Sequence, residues 1–510
     1  MPKIIKMLFS RLAIVMLMIL CQAAAYIILW TYLSHAYLYI HTFFSFISIL
    51  ILLLVINKQE PASYKLPWIF ILLVIPFYGV IIYSLFGRVP INKKYIRKYK
   101  GIYEESIDYQ TENEELKQII KDHDVLASSQ SEYIFNTTKL PLYKNSKVTY
   151  FSMGEPFFIS LLEKIKNAKK FIFLEYFIIE KGYMWDTLLE VLKTKVSEGV
   201  EVYLIYDDIG CITKLPYRYY TKLNSFGIKC VVFNPFMPIV SAIHNNRDHR
   251  KIAVIDGLYA YTGGINLADE YINAVNPYGK WKDSSVLIEG EAVKSFMIMF
   301  LQTYNAHAKE KLDYKKYMDE VKKVESDGIV QPFATGPKPF FKDRVGENVY
   351  LNIINQAKRY VYINTPYLIT DYHFTEAIKN ACKRGVDIRI MTPHIPDKKT
   401  IYFMTKSNYS DLIKAGVKIY EYSPGFIHSK SFVCDDEIGV VGTINLDYRS
   451  FVHHFECGIW MYKNECINEL KKDFIDTCEN EGLLIEKDNA NLKAYQRLLK
   501  NILEIFSPML

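Results

Sequence analysis

An internal repeat constrains the fold of this chain more than any other feature of its sequence. Three β-rich runs recur in the same order, with the same flanking Gly and Pro residues, at 171–179, 199–205 and 227–235 and again at 360–369, 385–391 and 416–424. Segments of helical period separate them, at 158–169, 188–197, 346–358 and 374–383. Strands that alternate with helices indicate a mostly parallel sheet with helices on its faces. A single run is ordinarily just a buried strand, but the ordered recurrence predicts two copies of one α/β lobe.

A polar motif follows the third strand of each copy. It has the form HxK(x4)D(x6)G(G/T)xN, and the Asn follows the His by 17 positions in both copies. A chance double occurrence inside a repeat is not expected, so we interpret the motif as the chemical site. Its members are His249, Lys251, Asp256, Gly263, Gly264 and Asn266 in the first copy, and His428, Lys430, Asp435, Gly442, Thr443 and Asn445 in the second.

The spacing of the motif suits chemistry on a phosphodiester. Side chains two apart on a strand share a face, so His249 and Lys251 converge, as do their counterparts in the second copy. Asn266 and Asn445 add amide donors, and the neighbouring glycines permit close backbone approach to a phosphate. If the half-sites face each other, one neutral His attacks phosphorus while the other, protonated, serves the leaving alcohol. Positioning and charge neutralisation then suffice for phosphoryl transfer without a metal.

Each catalytic imidazole needs a group that fixes its tautomer, and a carboxylate commonly does this by accepting from Nδ1. Asp283 and Glu456 each stand at the start of an apolar strand beyond the motif Asn, and they are the candidates. The motif carboxylates Asp256 and Asp435 belong to the candidate catalytic set by position. We expect them to support a turn rather than to touch the substrate.

The other histidines receive simpler interpretations. His453 and His454 are adjacent but lack the Cys or carboxylate spacing of a metal site, so no metal role is predicted. His244, His373 and His394 are predicted to be surface or supporting residues. The eight cysteines contain no CxxC pair, which is typical of reduced structural thiols and weakly favours a reducing compartment.

The N-terminal region is predicted to anchor the chain in a membrane. Residues 12–57 contain no charged side chain, which is long enough for two spans, and 66–87 form a third apolar stretch interrupted by Pro67, Pro76 and Gly79. A cleaved signal peptide at residues 1–25 is the disfavoured alternative, because the apolar run continues beyond it.

The orientation of the anchor is constrained by positive charge. Basic residues before residue 12 and between 88 and 100 both favour the cytoplasmic side, which three full crossings cannot satisfy. We therefore expect the lobes to be cytoplasmic. Either the chain crosses the membrane twice and has an additional interfacial segment, or the first loop violates the preference of basic residues for the cytoplasmic side.

Charge and length set the remaining expectations. The net charge of +7, from 62 basic and 55 acidic residues, suits an anionic lipid surface as well as a nucleic acid. The amphipathic segment 491–506 is predicted to pack on the lobes, with a membrane surface as the alternative. The predicted domains are a membrane anchor at 1–90, a basic linker at 91–135, a first lobe at 136–330 and a second lobe at 331–510.

The doubled motif resembles that of the phospholipase D superfamily, and further segments look like those of the bacterial cardiolipin synthases. These are the membrane-to-soluble junction at 61–100 and the segments 174–177, 206–210, 281–283, 335–337, 365–367, 445–451 and 506–510. The resemblance covers essentially the entire chain. Thr443 departs from it, since Ser is commoner there, and so does the extra N-terminal apolar span.

This resemblance implies a phospholipase D-like bilobal fold with one active site between the lobes and N-terminal transmembrane helices. It implies transfer of a phosphatidyl group between two phosphatidylglycerol molecules, through a phosphohistidine and with release of glycerol. It also implies no metal or other cofactor, no nucleic-acid partner and a cell-membrane location, and no protein partner is predicted. By the same analogy His249 is the nucleophile and His428 the acid.

Two alternative functions remain at this point. A hydrolase of the same superfamily, a phospholipase or a nuclease, is disfavoured by the apolar spans and the basic run that follows them, and no DNA-reading element is found. A catalytically inactive membrane scaffold is disfavoured because His249, Lys251, His428 and Lys430 are all intact.

Overall fold

The computed structural model describes residues 37–236, 245–318, 321–488 and 490–506, apart from 59, 61 and 88–92, together with five isolated positions before residue 37. The described chain divides into two compact units. The larger unit consists of Lys93–Phe233 and Arg247–Arg497, and the smaller unit takes the rest.

The smaller unit contains three apolar helices, α1 (Tyr37–Asn57), α2 (Ala62–Val74) and α3 (Pro76–Phe86). Among the described residues only α1, over Tyr39–Asn57, is long and apolar enough to cross a membrane. The first of the two spans predicted within residues 12–57 lies outside the described residues. The third predicted stretch, 66–87, is two short helices rather than one continuous span.

The break between α2 and α3 follows from the local sequence. Pro76 stands at the first position of α3, where its missing N–H removes no helical hydrogen bond. Gly79 then allows the two helices to approach closely, because a Cβ there would lie 2.8 Å from the carbonyl oxygen of Ile71. The apolar stretch is thus divided at Ile75, immediately before the helix that Pro76 begins.

The larger unit begins with three helices, α4 (Lys93–Ile107), α5 (Glu114–His123) and α6 (Val125–Thr138). They cover most of the segment predicted as a basic linker, and they bury Tyr99, Ile102, Leu116 and Ile120 in the main hydrophobic core. Apolar residues at helical spacing underlie the exposed charges. The segment is therefore part of the folded unit and not an extended linker.

The first lobe is built on a seven-stranded sheet in the order β1-β9-β7-β6-β2-β3-β4. Its parallel part is β2-β3-β4, the three repeated runs, and the strands of the motif add antiparallel pairs. The strands in this half of the chain are β1 (Ser146–Phe151), β2 (Phe171–Tyr176), β3 (Glu201–Asp207), β4 (Lys229–Phe233), β5 (Arg247–Asp248), β6 (Lys251–Ile255), β7 (Tyr259–Gly263), β8 (Lys280–Lys282) and β9 (Ser285–Gly290). The helices are α7 (Gly154–Lys166), α8 (Tyr183–Ser197), α9 (Tyr219–Ser225), the 3-10 turn Asp269–Ile272, α10 (Val293–His307) and α11 (Tyr314–Met318).

The second lobe repeats this plan in a sheet of order β10-β19-β17-β16-β11-β13-β14-β20. The predicted lobe boundary at residue 330 falls within β10. The strands are β10 (Ile329–Thr335), β11 (Tyr360–Asn364), β12 (Leu368–Ile369), β13 (Asp387–Pro393), β14 (Lys418–Tyr422), β15 (Gly425–Ile427), β16 (Ser431–Cys434), β17 (Ile438–Gly442), β18 (Leu446–Asp447), β19 (His454–Tyr462) and β20 (Gly482–Leu484). The helices are α12 (Val345–Gln356), α13 (Tyr372–Lys383), α14 (Lys399–Ser407), α15 (Tyr409–Lys414), α16 (Tyr448–Val452), α17 (Cys466–Asn480) and α18 (Ala494–Phe506).

The two sheets share one hydrophobic core. Helix α10 is buried along nearly its whole length and contacts strands of both sheets, and Phe300 on it stacks on Phe173 with ring centroids 4.4 Å apart. The duplicated α/β fold expected from the repeat is confirmed, with each sheet parallel over the three runs and antiparallel over the motif strands. In α18 the apolar side chains of Tyr495, Leu498, Leu499 and Ile502 are exposed, and the predicted packing of this segment on the lobes stays a prediction.

Candidate active site

Short parallel ladders exchanged between the two halves bring the motif histidines together with distant segments. Strand β15 pairs with β8, so that Ile427 faces Lys282, and β5 pairs with β19, so that Asp248 faces Phe455. The next residue in each case is the motif histidine, whose backbone N–H donates to the partner segment, from His428 to Lys282 at 2.7 Å and from His249 to Phe455 at 2.9 Å. Each half therefore fixes the backbone of the other half's histidine.

The exchange pairs each imidazole with the carboxylate of the other half. Nδ1 of His428 lies 2.6 Å from Oδ2 of Asp283, and Nδ1 of His249 lies 2.9 Å from Oε2 of Glu456. Sequence analysis named both carboxylates without assigning them to partners. A carboxylate that accepts from Nδ1 leaves the Nε2 lone pair of a neutral imidazole free for substrate.

The surroundings of Asp283 keep it ionised. Burial alone would raise the pKa of this carboxyl, but its interactions with His428 and Lys430 lower it more, so that it lies below its ordinary value. Gly264 makes room for it, because a Cβ at that position would lie 2.0 Å from Oδ1 of Asp283. This explains why the first motif has Gly where the second has Thr443, whose hydroxyl donates to Glu456.

Both motif lysines are buried beside the histidines. Nζ of Lys251 donates to the carbonyl oxygen of His249 at 2.6 Å, and Lys430 makes the same contact with His428. Burial lowers the pKa of Lys251 to about 8 and that of Lys430 to about 7. A bound phosphate would supply the negative charge that favours their protonated forms.

The two imidazoles are neutral in this environment. Burial, followed by the charge of Lys430, lowers the pKa of His428 to about 4. Burial, followed by the charges of Lys251 and Lys430, holds the pKa of His249 well below its ordinary value, and a proton on His428 would lower it further. The groups from both halves thus act on one another, as expected of residues that surround one site.

The two motif asparagines are both buried but differ in their contacts. Asn266 accepts from the backbone N–H of Ile178 at 3.0 Å and donates to the hydroxyl of Tyr271 at 2.7 Å. Asn445 has an Oδ1 atom with no hydrogen-bond partner among the described residues. Their predicted role as phosphate donors stays a prediction.

The motif aspartates lie at the opposite end of their strands from the histidines. Asp256 accepts hydrogen bonds from the backbone N–H groups of three successive residues at the start of β2, Lys169, Lys170 and Phe171. Asp435 does the same at the start of β11 with Lys358, Arg359 and Tyr360. These contacts support the turn and the strand pairing, and the place of both aspartates in the candidate catalytic set stays a prediction.

Sequence reasoning missed the aromatic walls of the site. The ring centroid of His428 lies 5.3 Å from that of Trp281 and 5.5 Å from that of Tyr271. On the other side the ring of His249 lies 4.9 Å from Phe177 and 5.4 Å from His454. An alignment of Trp281-Lys-Asp283 with His454-Phe-Glu456 would have found two of them, since each stands two residues before a pairing carboxylate.

For His454 no metal role was predicted, because the sequence around it lacks the Cys or carboxylate spacing of a metal site. Its Nδ1 lies 3.5 Å from Oε1 of Glu456, and the ligand atoms of His249, His454 and Glu456 lie within 4.8 Å of one another. This donor set is of a type that binds zinc. However, the positive charges of Lys251 and Lys430 in the same pocket oppose a cation. The hydrogen bond of His249 to Glu456, and the place of His454 two residues before that carboxylate, account for the distances. Among the other histidines, Nδ1 of His394 lies 2.9 Å from Oε2 of Glu421, and the ring centroid of His373 lies 6.0 Å from that of Tyr372. His244 lies outside the described residues.

A buried ionic network behind the first histidine was also missed. The guanidinium of Arg250 contacts Glu175 at 2.9 Å and Asp248 at 3.0 Å, and it donates to the hydroxyl of Thr303 at 2.6 Å. Ser429 occupies the corresponding position of the second motif. The two half-sites are therefore similar in backbone but unequal in electrostatics.

Comparison with known proteins identifies this arrangement. The family model described as the cardiolipin synthase, phospholipase D-like domain matches residues 161–284 and 350–477, once in each lobe. A model described as the phospholipase D-nuclease N-terminal domain matches residues 45–88.

Individual proteins agree with the family models. Cardiolipin synthase 1 of Staphylococcus aureus (strain MRSA252) is 33% identical over 473 residues, covering 89% of this chain and 93% of that protein. A protein of Streptococcus mutans serotype c described as uncharacterized is 40% identical over 463 residues, covering 90% of this chain and 99% of that one. The crystal structure of phosphatidylserine synthase from Haemophilus influenzae Rd KW20 shares the fold, with a TM-score of 0.57 at 15% identity over 74% of this chain and 97% of that chain. The chain thus belongs to the phospholipase D-like cardiolipin synthase family.

Proposed function

We propose that this protein is a cardiolipin synthase that transfers a phosphatidyl group between two phosphatidylglycerol molecules through a phosphohistidine. The anionic phosphate of the bound donor favours a protonated His428, which then carries a proton on Nε2 as well as on Nδ1. Nε2 of His249 attacks phosphorus, and the P–O bond to the glycerol headgroup breaks as His428 gives that oxygen its Nε2 proton and becomes neutral. His428 then takes a proton from a hydroxyl of the second phosphatidylglycerol. That oxygen attacks phosphorus, the P–N bond to His249 breaks, and cardiolipin is released. The observation that carries the proposal is the crosswise pairing of the two imidazoles with Glu456 and Asp283.

The difference between the two half-sites supports this assignment of roles. Asp283 acts on His428 both as a charge and as a hydrogen-bond acceptor, and both effects raise the pKa of that imidazole. Around His249 burial and the lysine charges dominate and lower the pKa well below its ordinary value. The imidazole whose cation is better supported is the acid, and the one held neutral is the nucleophile.

Burial of the site supports transfer over hydrolysis. His249 is 7% exposed and His428 is 6% exposed. Exchange of one glycerol phosphodiester for another is close to isoenergetic, so the enzyme must hold a lipid hydroxyl at the phosphohistidine in preference to water. Buried imidazoles between aromatic side chains restrict the access of water.

We also propose a multi-pass anchor with the lobes on the cytoplasmic side. The apolar helices α1 to α3 and the basic run Lys93–Lys100 support this orientation. Reporter fusions placed after residue 91 and after residue 510 test it in cells. A periplasmic-type or extracellular signal from either fusion would contradict the proposed side.

The enzymatic proposal is tested with purified full-length protein in phosphatidylglycerol vesicles. We expect equal amounts of cardiolipin and glycerol, and no cardiolipin from His249→Asn. Brief reaction with donor labelled at phosphorus should trap label on residue 249, as located by mass spectrometry of peptides. Phosphatidic acid without cardiolipin would instead indicate a hydrolase, and label on residue 428 would reverse the two histidine roles.

A further inference from the structure

The residue two positions before each pairing carboxylate differs between the half-sites. Trp281 precedes Asp283 and lies beside His428, whereas His454 precedes Glu456 and lies beside His249. An indole N–H can only donate a hydrogen bond, but a neutral imidazole has one donor and one acceptor nitrogen. The half-site of His249 therefore contains an acceptor nitrogen that has no equivalent at this position in the other half-site.

The ring of His454 is oriented like that of His249. Both rings direct Nδ1 towards Glu456, at 3.5 Å for His454 and 2.9 Å for His249. Since Nε2 lies across the ring from Nδ1, both Nε2 atoms point away from this carboxylate. The ring centroids lie 5.4 Å apart, so the ring that carries this Nε2 is next to the imidazole that attacks phosphorus in the proposed reaction.

This nitrogen is buried and unpaired. His454 is 8% exposed, and neither its Nε2 nor its Nδ1 has a hydrogen-bond partner among the described residues. A buried polar atom without a partner is costly unless a ligand supplies one. Its place beside the reacting imidazole indicates that the partner is a group of the substrate.

The protonation of the ring selects the kind of partner. Burial lowers the pKa of His454 to about 3, although Glu456 opposes this shift, so the ring is neutral near pH 7. The carboxylate of Glu456, 3.5 Å from Nδ1, favours the tautomer that carries its proton on Nδ1, and this tautomer has a lone pair at Nε2. A phosphate oxygen cannot donate to a lone pair, whereas a hydroxyl group can.

We propose that His454 is a specificity-determining residue that recognises the incoming alcohol. Its Nε2 accepts a hydrogen bond from the hydroxyl next to the one that attacks phosphorus on the acceptor's glycerol headgroup. This inference rests on the proposed transferase function and extends it to the choice of acceptor. An alcohol with two adjacent hydroxyls is preferred over a monohydric alcohol and over water, which has no second hydroxyl to offer.

Two soluble acceptors that differ only in this hydroxyl test the proposal. Purified full-length protein in phosphatidylglycerol vesicles receives 1,2-propanediol or 1-propanol, and mass spectrometry quantifies the two phosphatidyl alcohols. We expect the native protein to prefer the diol in kcat/KM by about five- to tenfold, the size of one neutral hydrogen bond. His454→Phe should abolish the preference, and His454→Gln, which keeps an acceptor, should restore part of it.

The ratio of the two products from one sample does not depend on the fraction of folded protein. His453→Phe, at the neighbouring histidine, is the matched control and should keep the preference of the native protein. A preference unchanged by His454→Phe overturns the proposal, as does a native protein that does not discriminate. Equal loss of both products would also overturn it, because His454 would then act only through Glu456. A native protein that forms neither cardiolipin nor any phosphatidyl alcohol would instead refute the transferase function.

Discussion

At the scale of single residues, the two half-sites position their histidines in the same way but with different side chains. In the proposed reaction His249 presents Nε2 to phosphorus and His428 presents Nε2 to the leaving oxygen, and each imidazole is held by a carboxylate that accepts from Nδ1. Asp283 is steadied by the backbone N–H of Ser284, and Glu456 by the hydroxyl of Thr443. The carboxylates therefore act as positioning groups, and their loss should affect catalysis more than folding.

Replacement of Glu456 by Gln tests this positioning role. The amide can donate to Nδ1 of His249, which moves the imidazole proton to Nε2 and removes the nucleophilic lone pair. We expect kcat for cardiolipin formation to fall by roughly 10²- to 10⁴-fold, the range of acid–base contributions. Glu190→Gln, an exposed carboxylate on α8, is the control and should leave kcat unchanged. Unchanged kcat in Glu456→Gln would show that the carboxylate does not set the tautomer.

The lysines predict a pH dependence of substrate binding. Lys430, with a pKa of about 7, and Lys251, with a pKa of about 8, carry their charge below these values and lose it above them. Because the donor phosphate is anionic, kcat/KM should fall as pH rises through this window. A pH profile between 6 and 9 with phosphatidylglycerol vesicles checks this, and a flat profile would mean that the lysines stay charged throughout.

At the scale of elements, each of the motif strands β6 and β16 has the candidate catalytic residues at one end and a structural contact at the other. The histidine and lysine stand at the start, and the aspartate after the far end accepts three successive backbone N–H groups from the neighbouring strand segment. Asp256 and Asp435 also take left-handed backbone conformations, with φ of 53° and 56°. The motif therefore has two roles, since it pairs neighbouring strands and it positions the candidate catalytic residues.

Asp256→Ala should destabilise the protein more than it slows the reaction. It leaves three backbone donors at the start of β2 without their acceptor, a loss of about 2 to 4 kcal/mol of unfolding free energy. The thermal unfolding midpoint should fall, while kcat per folded molecule stays within about threefold of the native value. An unchanged midpoint together with a large loss of kcat would show that Asp256 acts in catalysis rather than in stability.

The sequence predicted elements well where local pattern determines them. The three repeated runs became β2, β3, β4 and their counterparts, and the His, Lys and carboxylate candidates were found by spacing and strand alternation. The ladders β5–β19 and β8–β15 could not be predicted, because pairs of two or three residues between distant segments depend on the assembled lobes. Helices α4 to α6 were read as a linker because their surface charges outweighed the apolar spacing beneath. His454 was dismissed because Glu456 was not considered together with His249 from the other half.

At the scale of the whole molecule, neither half of the chain contains a complete catalytic unit. The histidine of each half is paired with the carboxylate of the other, and the two sheets share one core. Duplication thus produced a single site, which suits a reaction with two lipid substrates that use the same phosphorus centre in turn. The apolar N-terminal helices add a second condition, since an anchored enzyme meets donor and acceptor at the concentration of the lipid surface.

This surface dependence yields a prediction for the ratio of transfer to hydrolysis. The proposed phosphohistidine would react either with a lipid hydroxyl, whose supply scales with the surface fraction of phosphatidylglycerol, or with water, whose concentration is constant. Dilution of phosphatidylglycerol tenfold with a neutral lipid, at fixed total lipid, should therefore lower the ratio of cardiolipin to phosphatidic acid about tenfold, if each competing step is first order in its acceptor. The products are resolved by chromatography of vesicles with full-length protein, and dilution of the vesicles with buffer is the control that leaves the ratio unchanged. A ratio that follows the bulk rather than the surface concentration would show that the acceptor lipid does not come from the membrane that holds the enzyme.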